Sequence, residues 1–131
     1  VKMPERSRDW IEQAIRDLEK AEKDLSWKYY EWSCFTAQQA AEKAVKGLFQ
    51  SLHADAWGHS VSKLLKELPY EMRPKEELID EAIQLDRFYI PTRYPNGFVT
   101  GSPKDYFTKK DAENACKAAK EIIEFCKSKI S

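Results

Sequence analysis

The sequence predicts an all-α protein, a five-helix up-and-down bundle with a long Pro- and Gly-containing loop between the last two helices. Three observations carry this prediction. Apolar residues recur at i, i+3, i+4 and i+7 along most of the chain. No period-2 run bounded by turn residues occurs, so strands are not expected. The 131 residues hold only four Gly and six Pro, which removes collagen-like and linker-rich readings. The length suits one domain over 1–131 with a single core, and it is too short for two separately stable catalytic domains.

The first helix is expected from about Ser7 to Trp27, with Ile11, Ala14, Ile15, Leu18, Ala21 and Leu25 as its apolar stripe. Ser7 reads as its N-cap, and Asp9 favours the first turn. After a turn at Lys28–Tyr30 a second stripe runs from Cys34 and Phe35 to Phe49 and Leu52. Its middle, Ala37 to Ala44, is rich in small side chains that let a neighbour come close, so this helix should lie at the centre. His53–His59 breaks the pattern. A short helix follows over Ser60–Leu68, ended by Pro69. The fourth is expected from Pro74, a favourable N1 residue, to about Tyr89. The fifth runs from Thr108 to Lys129, where Thr108 and Asp111 have capping-box spacing.

Charge and cysteine usage narrow the function classes. Lys+Arg and Asp+Glu number 22 each, for a formal net charge of zero. That balance argues against bulk electrostatic capture of nucleic acid or anionic membrane, yet leaves room for a local basic pocket. No uncharged stretch approaches the 18 to 20 apolar residues a membrane span needs, and the segment Val1–Arg6 lacks the apolar core of a secretory signal. Cys34, Cys116 and Cys126 fall on apolar helix faces and read as buried thiols; along one helix Cys116 and Cys126 would stand about 15 Å apart, too far to bridge. No Cys/His spacing fits a structural zinc site, no Glu-x-x-His pair fits a di-iron bundle, and there is no P-loop, GxGxxG or GxSxG. The expectation is a cytoplasmic, reduced protein with neither metal nor cofactor.

One segment resists the helical pattern. Ile90 to Phe107 contains three Pro and two Gly, too many breakers for a helix. It is longer than a bundle connection requires and too aromatic for disorder. From Arg87 to Lys104 the chain carries Arg87, Arg93 and Lys104 and no acid, interleaved with Phe88, Tyr89, Tyr94 and Phe98. Guanidinium groups beside aromatic faces suit a nucleotide, the cation taking phosphate and the ring stacking on a base. Helix N-termini at Ser60 and Thr108 offer further N–H donors to a phosphate. His59, in Trp57-Gly58-His59-Ser60, has the chemistry of a general base, a phosphate contact or a cap. A purely structural account competes with all of this: Arg87 pairs with a neighbouring acid and the rings seal the end of the bundle.

The run Ala37-Gln38-Gln39-Ala40-Ala41-Glu42-Lys43-Ala44-Val45-Lys46-Gly47, followed by Gly58-His59-Ser60, Leu64-Leu65, Leu85-Asp86, Tyr89 and Thr92-Arg93-Tyr94-Pro95, resembles the HEPN domain (higher eukaryotes and prokaryotes nucleotide-binding). The likeness extends, in order, over nearly the whole chain. It implies an all-α bundle, commonly a homodimer, acting beside a small nucleotidyltransferase, often in a toxin–antitoxin module whose HEPN partner is a metal-independent ribonuclease. That activity uses an Arg followed four to six residues later by His. Neither His53 nor His59 has an arginine at that distance before it, so the linear motif is absent. The chain instead carries Arg93-Tyr94-Pro95 with His59 supplied from an earlier loop, which resembles members discussed as nucleotide binders.

Three functional expectations follow. In the first, a homodimeric module binds ATP, GTP or RNA phosphate through Arg93, with Arg87 or Lys104 assisting. Tyr94 and Phe98 stack on the base, His59 hydrogen-bonds nearby, and Asp86 and Tyr89 position the loop. In the second, His59 and Arg93 converge as the catalytic pair of a ribonuclease. In the third, the chain is an interaction module whose large rings, Trp10, Trp27 and Trp32 among them, are partner contacts.

Overall fold

The structure, a computed structural model, describes residues 5–130. Among the described residues five α-helices form the fold: α1 (Ser7–Ser26), α2 (Tyr30–Ser51), α3 (Val61–Lys66), α4 (Glu76–Asp86) and α5 (Lys109–Lys129). Short 3-10 turns occupy Tyr70–Met72, Pro95–Gly97 and Pro103–Asp105, and there is no strand among the described residues.

Helix α2 is the hub. It packs against α1 and α5 along its length and touches α3 and α4 on another side, while α4 bridges α3 and α5. The α1–α2 pair is an antiparallel hairpin, turned at Trp27–Tyr29 with Lys28 at φ +69°. One end is fixed by Ser33, whose hydroxyl donates to the Ala21 carbonyl at 2.7 Å. At the other end Gly47 lies against α1: a Cβ there would stand 2.9 Å from Trp10 Cβ and 3.2 Å from the Ser7 carbonyl oxygen. Between them Lys43 pairs with Asp17 at 2.5 Å. The small residues of α2 thus serve as expected: Ala37, Ala40, Ala41 and Ala44 are all fully buried.

The core joins these alanines to Leu48, Leu64, Leu65, Leu68, Leu85 and Ile122, each fully buried. At roughly 1.5–3 kcal/mol for each fully buried large apolar side chain, this cluster supplies the main stabilising term. All three cysteines are buried and free. Burial pushes their thiols up from the ordinary value, which keeps them protonated and unreactive.

Several boundaries differ from the sequence expectation. Arg6, not Ser7, occupies the N-cap of α1; Ser7 is the first helical residue, and its N–H donates to the Glu5 carboxylate. Ile15 is exposed rather than part of the core stripe. Pro74 lies outside α4, which begins after Lys75 because the Tyr70–Met72 turn takes up the preceding chain. The same helix ends at Asp86, and residues 87–93 continue as turns. Thr108 and Asp111 do form the capping box of α5, with bonds of 3.1 and 2.9 Å.

Candidate phosphate site

Arg93 sits half-buried at the start of the irregular segment, where the turns after α4 fold back on it. Its Nε and Nη2 both donate to the Tyr89 carbonyl, at 2.9 and 2.7 Å. Three rings surround the guanidinium: its Cζ is 4.4 Å from the centre of Phe35, 4.7 Å from Tyr89 and 5.1 Å from Tyr94. Each such contact with a cation is worth roughly 0.5–2 kcal/mol, more as water is excluded. No ion pair among the described residues involves Arg93. A partly desolvated cation caged by rings and a carbonyl, with N–H donors to spare and no ion-pair partner among the described residues, has the chemistry to take an anion.

His59 reaches the same place from the α2–α3 connection. Its ring lies over Tyr89, with centroids 4.5 Å apart and planes 16° from parallel. His59 and Arg93 therefore both pack on the Tyr89 ring, although 33 residues stand between them in the chain. Phe35 continues the aromatic surface, 6.2 Å from Tyr89 and 6.3 Å from the exposed Trp32.

A polar ladder on α2 supports His59 from behind. Glu42 places both carboxylate oxygens 3.2 Å from His59 Nδ1, and its side chain is only 8% exposed. Lys46 Nζ donates to that carboxylate at 3.0 Å. Gln38 Nε2 donates to the His59 carbonyl at 2.9 Å and to Glu42 at 3.3 Å, and its own amide oxygen accepts from Gln39 at 2.7 Å. The Gln38–Glu42 pair is absent from the sequence-based candidates, although it leaves a signal: two polar residues at i, i+4 interrupt the buried stripe of a central helix.

Other expected members are elsewhere. Arg87 turns to Gln84, donating at 3.3 Å, and Lys104 pairs with Asp105 at 3.0 Å; neither joins the cluster around Arg93. Phe98 stacks on Tyr106 at 4.1 Å in a second aromatic group with Phe107. The helix N-termini expected to meet phosphate are both taken by carboxylates. Asp86 accepts from the Val61 N–H at 2.6 Å and from the hydroxyls of Ser60 and Ser62, and Asp111 fills the same role at α5. No group of His, Cys, Asp and Glu suited to a metal ion occurs among the described residues, and no described helix is long and apolar enough to cross a membrane.

The five-helix fold is that of a HEPN-type bundle, and comparison with known proteins agrees. The HEPN domain model matches residues 7–129, and the chain belongs to the HEPN family. It is similar to TT1696 of Thermus thermophilus, at 43% identity and TM-score 0.93 over 96% of this chain and 99% of that one. It is also similar to ST0689, an archaeal HEPN homologue, at 42% identity and TM-score 0.83 over 98% and 100% of the two chains. A Methanocaldococcus jannaschii protein named as a candidate toxin, MJ1304, is 30% identical, the match covering 90% of this chain and 84% of that protein.

Proposed function

We propose that this chain is a cytoplasmic, homodimeric HEPN module that binds the phosphate of a nucleotide or RNA at Arg93. In this reading it works with a nucleotidyltransferase partner in a toxin–antitoxin-type pair. The observation that carries the proposal is the half-buried Arg93 guanidinium, ringed by Phe35, Tyr89 and Tyr94 and lacking any ion-pair partner among the described residues. The likeness to a candidate toxin supports the wider setting. Tyr94, half exposed beside the guanidinium, is the ring available to a base. Arg87 and Lys104 act only at long range, since their contacts lie outside the cluster.

Calorimetric titration of ATP, GTP and a short RNA into the wild type and Arg93→Ala, at low and physiological salt, tests the reading. Saturable wild-type binding, weakened at least tenfold by the substitution, is expected. Equal binding by both proteins, or none by either, refutes it. Light scattering at micromolar concentration tests the dimer, which a mass near the 15.3 kDa of one chain would exclude.

The shared Tyr89 ring also favours a second reading, ribonuclease activity. His59 would move the 2′-hydroxyl proton and Arg93 would stabilise the developing negative charge. His59→Ala and Arg93→Ala would then each abolish cleavage without unfolding the bundle, and undiminished cleavage by both would end this reading.

A further inference from the structure

We infer that Glu42 is the positioning residue of His59: it confines one imidazole proton to Nδ1 and so leaves Nε2 as the nitrogen that exchanges a proton at this face. The geometry admits little else. The Glu42 carboxylate already accepts from Lys46 Nζ at 3.0 Å and from Gln38 Nε2 at 3.3 Å. Gln38 is itself oriented, because its amide oxygen is taken by Gln39. Toward Nδ1, with both carboxylate oxygens at 3.2 Å, Glu42 therefore acts as an acceptor, and the hydrogen belongs to the ring.

Two further contacts hold the ring in that orientation. Gln38 fixes the His59 backbone through its carbonyl, and the stack on Tyr89 fixes the ring plane. A flip about the Cβ–Cγ bond would keep the stack but turn a carbon toward the buried carboxylate. That would cost the buried carboxylate its imidazole donor and leave it only Lys46 and Gln38. The other nitrogen, Nε2, makes no hydrogen bond among the described residues, and the His59 side chain is 53% exposed. A histidine held in one tautomer by a carboxylate presents a lone pair at Nε2 when neutral and an N–H donor there when protonated.

The consequence for the site rests on the phosphate reading. His59 then offers a defined acid–base nitrogen on the same tyrosine that packs against the arginine taking the anion. Glu42 touches no ligand and acts only through His59.

Nitrogen-15 NMR of the imidazoles in the full ligand-free chain, at a pH where they are neutral, tests the inference, with exposed His53 as internal reference. The Nδ1–H tautomer is expected for His59 in the wild type and the Nε2–H tautomer in Glu42→Leu, while His53 is unchanged. Circular dichroism checks that the variant retains its helices. An Nε2–H tautomer at His59 in the wild type overturns the inference and needs no variant. An Nδ1–H tautomer that persists in folded Glu42→Leu overturns it as well. Because no ligand is present, a failed nucleotide titration leaves this result standing, and the two ideas fail separately.

Discussion

His59 lies nearly parallel to Tyr89, ring centres 4.5 Å apart, and this stack ties the α2–α3 connection to the turns after α4. Asp86 reinforces the tie three residues earlier, accepting from the Val61 N–H and the Ser60 and Ser62 hydroxyls. The loop that carries the histidine is thus fastened at two points to the segment that carries the arginine. Relative placement of His59 and Arg93 follows from these contacts and not from either helix alone.

Arg93→Lys separates charge from shape. Lysine keeps the positive charge but loses the paired donation to the Tyr89 carbonyl and the planar face set against Phe35, Tyr89 and Tyr94. ATP affinity measured by calorimetry should fall for lysine nearly as far as for alanine, and both variants should lose about 1–2 kcal/mol of stability in urea. Full affinity in Arg93→Lys would mean that charge alone serves the site.

Asp86→Ala should unfasten α3. It removes an acceptor from two hydroxyls and from backbone N–H groups at the start of that helix. The expected loss is about 2 kcal/mol in urea denaturation, the range for a helix cap combined with buried donors left unpaired. Hydrogen exchange should rise first in Val61–Lys66. A uniform rise across all five helices would show that Asp86 serves global stability and not this junction.

The bundle was legible in the sequence because most of its helices bury a stripe that repeats at 3.6 residues, and the Thr108 capping box is a local signal. Local rules misled where another residue competed. Ile15 fits the spacing, yet at about 100° per residue it falls on the flank of the stripe, where it stays exposed. Ser7 has the right chemistry for a cap, but the Glu5 carboxylate meets its N–H instead. At the site, Arg93 and Tyr94 are visible as types in a breaker-rich segment, and His59 as a type in the connection between the second and third helices. Phe35 and Glu42 are not, because they reach the site from the central helix, and only tertiary packing decides which of its faces meets a distant loop. Likewise the N-termini at Ser60 and Thr108 look open to phosphate until Asp86 and Asp111 are seen to fill them.

Gly47→Ala should be destabilising although alanine is the better helix former. The new Cβ would meet Trp10 Cβ at 2.9 Å and the Ser7 carbonyl at 3.2 Å, one of them backbone and neither the far end of a flexible chain. Overpacking of this kind costs about 1–3 kcal/mol, against a propensity gain near 1 kcal/mol. A net loss of about 1 kcal/mol is expected in urea, larger for Gly47→Val. A stabilised Gly47→Ala would mean that α1 can move away from α2 without cost.

Stability should fall as pH rises from about 4.5 to 7, through Glu81. Burial, then its hydrogen bond to Glu121 and the charge of that carboxylate, raise Glu81 from 4.5 to about 7, with Lys117 partly offsetting. The folded protein therefore binds a proton in this window that the unfolded chain has released, so the contribution is complete below 4.5 and lost as pH passes 7. Glu121 is shifted down by the same hydrogen bond, so its own contribution is lost only as pH falls below the usual carboxylate range. Glu81→Gln keeps a donor toward Glu121 and has no proton to lose. Its stability should match the wild type at pH 5 and exceed it at pH 8 by on the order of 1 kcal/mol, allowing for solvent screening at this partly exposed pair. Thermal melts of both proteins at the two pH values make the comparison, and ionisations common to both cancel in the difference. Parallel pH profiles would mean that Glu81 and Glu121 titrate independently and share no proton.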